Sequence, residues 1–265
     1  MNWLARHNLQ FWAFAAGALV LWVNARMRPG AAHPAEAWYR TAVGVDPNYA
    51  VGWYDLGAIA EQSNRLAEAR DDFKRASDLE PLDPAPLREW AELSRQLGDT
   101  DGAIAALQRL TVEHPNDAES HHRLGVALHA AGRDADAIAE LERTEQLTPS
   151  STEVLLQLGA LYGGTQKYEL ASQTLERAVA QDPTSAPAWF NLGIARKNLG
   201  RREPAIDALT RAIAAQPDYL RAYSPLIELE LQAGQRDRAH AHAQRLLELD
   251  PGNATASAFL SQTGP

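Results

Sequence analysis

No cysteine occurs among the 265 residues, which excludes disulfides, cysteine-ligated zinc, iron–sulfur clusters and thiol catalysis. This leaves the compartment open, because an array held by helix packing needs no disulfide in either a reducing or an oxidising space. Lysine is almost missing as well: Lys74, Lys167 and Lys197 stand against 22 arginines. Together with abundant alanine, that bias points to a GC-rich bacterial genome. Residues 1–35 hold Arg6, Arg26 and Arg28 and no carboxylate, so the rest of the chain carries all 34 acidic groups against 22 basic ones. A body of that sign argues against sequence-independent nucleic-acid binding, which needs a surface that neutralises phosphates. Catalytic signatures are absent too, with no nucleophile elbow, Walker loop, HExxH or dinucleotide-binding glycine pattern. The many carboxylates supply chance pairs on helix surfaces, and none is forced into a dry pocket that would tune it for acid–base work. The expectation is a non-enzymatic protein without a cofactor.

What the chain does have is a period. Pro47, Pro81, Pro115, Pro149, Pro183, Pro217 and Pro251 recur every 34 residues with no insertion or deletion. Twelve positions before each stands an alanine: Ala35, Ala69, Ala103, Ala137, Ala171, Ala205 and Ala239. A period of this length points to stacked helical hairpins, in which each unit packs only on its neighbours.

With Ala50 as position 1, position 4 reads Trp53, Leu87, His121, Leu155, Trp189, Tyr223 and position 7 reads Leu56, Trp90, Leu124, Leu158, Leu192, Leu226. Position 8 reads Gly57, Ala91, Gly125, Gly159, Gly193, Ile227, and position 24 reads Phe73, Leu107, Leu141, Leu175, Leu209, Ala243. Apolar residues at 4, 7 and often 11 give one helix with a buried face, and those near 20, 24 and 27 give a second. Gly98, Gly132, Gly200 and Gly234 at position 15 suit a helix end that needs positive φ. Gly163-Gly164 reads as a loose turn. The proline at 32 stops the second helix, and the residues after it, Asn48, Asn116, Ser150, Thr184 and Asn253, are capping candidates.

This pattern resembles the tetratricopeptide repeat family, most fully in Trp53, Leu56, Gly57, Ala69, Phe73, Ala76 and Pro81, and nearly as well in Trp189, Leu192, Gly193, Ala205, Leu209, Ala212 and Pro217. The resemblance covers six units, 50–83, 84–117, 118–151, 152–185, 186–219 and 220–253, preceded by a half-repeat at 35–49. It implies an all-α, right-handed superhelical solenoid whose first helices line a concave groove. A capping helix and tail are expected over 254–265, with Phe259 and Leu260 turned inward.

Residues 1–34 form a separate segment. Phe11–Val23 is an unbroken apolar or small run, flanked by Trp3, Trp12 and Trp22 and by the three arginines. Residues 9–27 approach the length of about 20 that a membrane span needs, which makes an uncleaved anchor in the bacterial cytoplasmic membrane the leading expectation. Two readings compete with it. Val23-Asn24-Ala25 resembles a cleavage signal, although Arg26 and Arg28 would follow the cut directly. Alternatively, Trp22 at position 7 and Gly30 at position 15 fit a degenerate extra repeat. Arg6 balances Arg26 and Arg28, so the side of the repeats is left open.

The family resemblance implies that positions 2, 5, 6, 9, 12 and 13 face the groove. Asn191 at position 6 is the leading candidate, since an asparagine there in similar proteins holds a peptide backbone through both amide functions. Gln157, Phe190, Lys197, Asn198 and Arg221 surround it. A second cluster, Arg88, Arg95, His122, Arg123 and His129, makes a candidate basic patch, with Glu89, Glu92 and Glu119 near enough to neutralise it. His122 and His129 are about 10 Å apart along a helix, too far to share a zinc, His121 sits at a packing position, and His240 and His242 point to different faces. No metal site is expected. The functional expectation is an interaction scaffold that holds a partner peptide or helix in its groove, tethered to a membrane. The alternatives are a substrate-recruiting subunit of a separately encoded enzyme and a self-assembling scaffold, a homo-oligomer.

Overall fold

Each 34-residue unit encodes two amphipathic stretches separated by a breaker, and the computed structural model, which describes residues 34–149 and 151–263, forms both as helices. Fourteen α-helices and no strand occur among the described residues. The chain divides into two compact units, residues 1–127 and 128–265. In the first lie α1 (Pro34–Val45), α2 (Ala50–Gln62), α3 (Leu66–Leu79), α4 (Pro84–Gln96), α5 (Thr100–Glu113) and most of α6 (Ala118–Ala130). The second holds α7 (Asp134–Leu147), α8 (Thr152–Gly164), α9 (Tyr168–Gln181), α10 (Ala186–Asn198), α11 (Arg202–Ala215), α12 (Tyr223–Gln232), α13 (Arg236–Leu249) and α14 (Ala254–Thr263), with a 3₁₀ turn at Leu220–Ala222 before α12. Residues 9–27, and with them the anchor expectation, lie outside the described residues. Among the described residues no helix is long and apolar enough to cross a membrane.

Successive helices pack pairwise from α1 to α5 in the first unit and from α7 to α14 in the second. The apolar core is therefore divided into local clusters. Ala35, Tyr39, Val43, Leu56 and Ile59 pack α1 on α2, while Phe190, Ile206, Leu209, Leu226 and Leu229 join α10, α11 and α12. At the other end, Tyr223, Ile227, Ala243 and Leu246 bury Ala256, and Phe259 and Leu260 of α14 pack against the same cluster.

The helical hairpins turn at position 15 in the left-handed region. Gly98, Gly132, Gly200 and Gly234 have φ between +71° and +76°. Repeats one and four place Asn64 (φ 58°) and Gln166 (φ 61°) there instead. A side chain in this region costs about 1–2 kcal/mol, least for asparagine, so Gln166 is the strained member of the series. This corrects the reading of Gly163-Gly164 as a loose turn: both glycines end α8 as helical residues, and the reversal occurs two residues later at Gln166.

The capping expectation also changes. The cap is the residue two after the proline, at position 34. Asp83 accepts from the Ala85 N–H, Ser151 from Val154, Ser185 from Ala188 and Asn253 from Ala256. Of the residues proposed from sequence, Asn253 caps, whereas Thr184 and Asn48 bond back to Asp182 and Asp46 and tighten the turn. Asn253 holds position 34 because repeat six runs from 220.

A ladder not foreseen from sequence joins adjacent repeats at position 4. Trp53 Nε1 donates to the Pro47 carbonyl at 3.0 Å, Trp189 Nε1 to Pro183 at 2.8 Å and the Tyr223 hydroxyl to Pro217 at 2.7 Å. His121 places Nε2 3.2 Å from the Pro115 carbonyl, a contact that requires the proton on Nε2. Each bond gives a carbonyl of the inter-repeat turn a side-chain donor, so the aromatic at position 4 and the proline before it act together.

One carboxylate makes stability depend on pH. Asp72 on α3 is half-buried, and burial, reinforced by Glu68, pushes its pKa up to about 6. The folded chain then holds this proton more tightly than the unfolded one, so stability is greatest below the unfolded value and falls as pH rises toward 6. Asp72→Asn is expected to stabilise by on the order of 1 kcal/mol at pH 7.5, about 2–4 °C in melting temperature, and to do little at pH 4. Thermal melts at both pH values check this, and an equal shift at both would mean the charge is not the cause.

Candidate functional site

The residues singled out around Asn191 rest on α8, α10 and the turn into α12. Ser185 caps the N-terminus of α10, Pro187 stands in its first turn, and the buried run Leu192, Gly193 and Ala195 fixes its inner face. Asn191 is half-buried, and among the described residues its side-chain amide makes no hydrogen bond. Its neighbours are more committed. Lys197 is ion-paired with Glu228 of α12, which ties adjacent first helices together. Asn198 Nδ2 donates to the Ile194 carbonyl at 2.9 Å, and Gln157 Nε2 reaches Glu153 Oε1 at 3.4 Å.

Phe190 departs from the expectation that it lines a groove. It is 8% exposed and belongs to the core of α10–α12. The physical reason is its partners: Tyr219 meets the ring edge-on at 5.6 Å between centroids, and the exposed Arg221 guanidinium lies 5.0 Å from the ring centroid. Arg221 is thereby held by a cation–π contact, an attraction worth about 0.5–1 kcal/mol at exposed sites.

The expected basic patch separates into pairs. Arg95 grips Glu92 at 2.6 Å, and this contact draws the glutamate down to about 2. Arg88 bonds Asp117 at 2.8 Å, and Arg123 bonds Glu119 at 2.6 Å. His122 is half-buried on α6. His129 belongs to the other compact unit, where Nδ1 lies 2.7 Å from Asp134. Each of the three arginines thus has its own carboxylate, and what the structure brings together is Arg88 and Arg123, which line one cavity.

The first unit also carries carboxylates that burial has made weaker acids. Asp55 is pushed up by burial against the opposing hydrogen bond from Tyr39. Glu89 is pushed up by burial and by Glu61 and Glu92, with Arg123 opposing. No group of three His, Asp or Glu side chains that could hold a metal occurs among the described residues.

Sequence reasoning missed a buried ion pair. Glu230 on α12 is fully buried, with Oε2 2.8 Å from His242 Nδ1 and Oε1 3.2 Å from Arg238 Nε. The signal lay in the column: position 11 reads Ala60, Ser94, Leu128, Tyr162, Arg196 and Glu230, so its last members carry polar groups to an inward-facing position. Tyr162 and Arg196 each reach a glutamate on the second helix of the preceding repeat, Glu142 at 2.5 Å and Glu176 at 3.1 Å, whereas Glu230 is met from the second helix of its own.

The repeat geometry has counterparts among known proteins. Two profiles described as tetratricopeptide repeat match the chain, one at residues 22–84 and 88–152 and the other at 128–194 and 164–226. A crystal structure of MamA protein aligns with a TM-score of 0.61 at 28% identity, covering 65% of this chain and 94% of that one. MamA from Desulfovibrio magneticus RS-1 aligns at 0.60 with 23% identity, covering 64% and 97%. YrrB, described as a repeat protein with an unusual peptide-binding site, aligns at 0.60 with 20% identity, covering 74% and 97%; these last two likenesses are of fold alone. No curated protein matches the chain.

Proposed function

Since the chain belongs to the tetratricopeptide repeat family, we propose that it is a non-enzymatic scaffold that holds an extended segment of a partner protein against its first helices, tethered to a membrane by residues 9–27. Protein–protein interaction is the general work of this family, and the fold is one on which YrrB carries a peptide-binding site. The observation that carries the site is Asn191. A half-buried amide with no hydrogen bond among the described residues offers one donor pair and one acceptor, the complement of a peptide unit in an extended strand. Lys197, bound to Glu228, sets the neighbouring helix rather than gripping the ligand, and Arg221 offers the remaining guanidinium N–H groups from its seat on Phe190. A tether raises the effective concentration of two partners at one membrane, so moderate affinity suffices.

The test is site-specific photo-crosslinking in membranes from cells producing the full chain, with the reactive residue at exposed Asn198. A discrete partner band that Asn191→Ala weakens roughly tenfold, the cost of one or two hydrogen bonds to a peptide, supports the site. Unchanged crosslinking with Asn191→Ala removes it.

A specific observation favours a second reading of the N-terminal segment: the repeat profile begins at residue 22, inside the apolar run. On that reading residues 22–33 belong to an additional repeat rather than to an anchor. Membrane fractionation with mass determination of the mature N-terminus separates the two. Membrane retention of the intact chain fits the tether, and an intact soluble product fits the extra repeat.

A further inference from the structure

The cavity between α4, α5 and α6 is built from one repeat's hairpin and the first helix of the next, and it lies wholly within residues 1–127. Its volume is about 330 Å³. Ala91, Leu107 and Leu110 supply its apolar lining, the buried Ser120 lies among them, and the exposed Arg88, Glu119 and Arg123 supply its charged lining. Sites for drug-sized ligands and cofactors span about 300–1,000 Å³, so this one is sized for a single side chain or a fragment of similar bulk.

Its origin can be read from the repeat columns. In repeats one, four and five a glycine at position 8 lets the phenylalanine or leucine at position 24 fill the space between the helices, as Phe73 does over Gly57, Leu175 over Gly159 and Leu209 over Gly193. Here position 8 is Ala91 and position 7 is the bulky Trp90, whose ring is flanked by Lys74 at 5.2 Å and Arg109 at 5.9 Å on the side of α3 and α5. The unfilled space remains over Leu107 and Leu110.

The charged lining sets the charge of the occupant. Arg88 is half exposed and commits Nη2 to Asp117; Arg123 is half exposed and commits Nε to Glu119. The other two nitrogens of each guanidinium make no hydrogen bond among the described residues, which leaves four donor-bearing nitrogens on two residues that line the cavity. Asp117 does not compete for them. Burial raises it, but bonds from the Ser120 hydroxyl and from Arg88, both to Oδ2, outweigh burial and hold it below the usual carboxylate range, and it serves to aim Arg88. Glu119 is well exposed and held by one contact, so an incoming carboxylate can displace it from Arg123. Glu89 and Glu92 lie close enough to feel the Arg123 charge, which makes the site a weak and salt-sensitive one.

We propose that this cavity is a second binding site, separate from Asn191, that takes an extended peptide of a partner protein with one large apolar side chain flanked by acidic residues. The apolar side chain covers Ala91, Leu107 and Leu110 while the adjacent carboxylates meet Arg88 and Arg123, the planar fork suited to carboxylate recognition.

The probe is a fluorophore-labelled Ser-Glu-Phe-Glu-Ser peptide, acetylated and amidated so that it has no terminal charge, titrated by anisotropy into the full chain in mild detergent. Two further peptides carry lysine in place of glutamate and glycine in place of phenylalanine. The expected result is saturable binding of the first with Kd below about 1 mM, weakened at least tenfold by either peptide change and by the exposed-residue variant Arg88→Gln/Arg123→Gln. Binding unaltered by Asn191→Ala is also expected, which keeps this site's outcome apart from that of the other. No saturation up to about 1 mM, equal binding of the lysine peptide, or unchanged affinity in the double variant overturns the proposal.

Discussion

Gly159→Ile is expected to destabilise the α8–α9 hairpin by about 3 kcal/mol, and adding Leu175→Ala is expected to recover about 2 kcal/mol of that loss. A Cβ at Gly159 would lie 2.4 Å from Leu175 Cγ and 2.6 Å from its Cδ2, distances at which the leucine must leave its place. Helix propensity works the other way, since glycine inside a helix is worse than other residues by up to about 1 kcal/mol, so the net loss measures the clash. Repeat six supplies the rescue. There position 8 is Ile227 and position 24 is Ala243, and both lie in the same buried cluster. The large and small partners have exchanged helices while the summed volume stays similar, the kind of swap that cores accept best. Hydrogen exchange of the α8 and α9 amides in the two variants reads the local loss, which suits an array whose units need not unfold together. A double variant as unstable as Gly159→Ile alone would mean that backbone separation, not side-chain volume, distinguishes repeat six.

The same pair of columns shows why the fold was legible in the sequence and the sites were less so. Proline at 32 and alanine at 20 each answer a local steric demand that recurs wherever the unit recurs, and the small residue at 8 does so in every unit but the last. Four of six positive-φ positions could be read directly from glycine, but Gln166 could not, because a strained residue leaves no compositional trace. Capping was misread by one position, since Asn48 and Thr184 are good caps by type and only the bonds to Asp46 and Asp182 reveal their actual work. Phe190 shows the limit most clearly. Its column places it beside the groove, yet Tyr219, the last residue of its own repeat, and Arg221, in the irregular start of the next, enclose it. The 3₁₀ turn at Leu220–Ala222 replaces the first helical turn of that repeat, a local change that the columns do not show. Likewise the cavity by Arg88 and Arg123 depends on a void left by packing, which no single residue type announces.

His242→Ala is expected to cost roughly 3 kcal/mol, more than Arg238→Ala at under about 1 kcal/mol and more than Glu230→Leu at about 1 kcal/mol or less. The ordering follows from where the charge lies. Glu230 has no exposed side-chain surface, His242 is about a quarter exposed and Arg238 about half. His242 Nδ1 is 2.8 Å from Oε2, whereas Oε1 has no hydrogen-bond partner although Arg238 Nε is 3.2 Å away. Removing the imidazole therefore strands a buried carboxylate with only a poorly aligned, largely solvated guanidinium to answer it. The same change takes away the Tyr223 ring contact, whose centroid lies 6.3 Å from that of His242. Removing the carboxylate instead leaves two groups that water can reach, and leucine returns apolar surface to a site among Leu226, Ile227 and Leu229. Denaturant melts of the three variants rank them. If Glu230→Leu costs as much as His242→Ala, the carboxylate contributes to stability beyond its own desolvation, and the last hairpin is held by the ion pair rather than by the apolar cluster that includes Tyr223, Ala243 and Leu246.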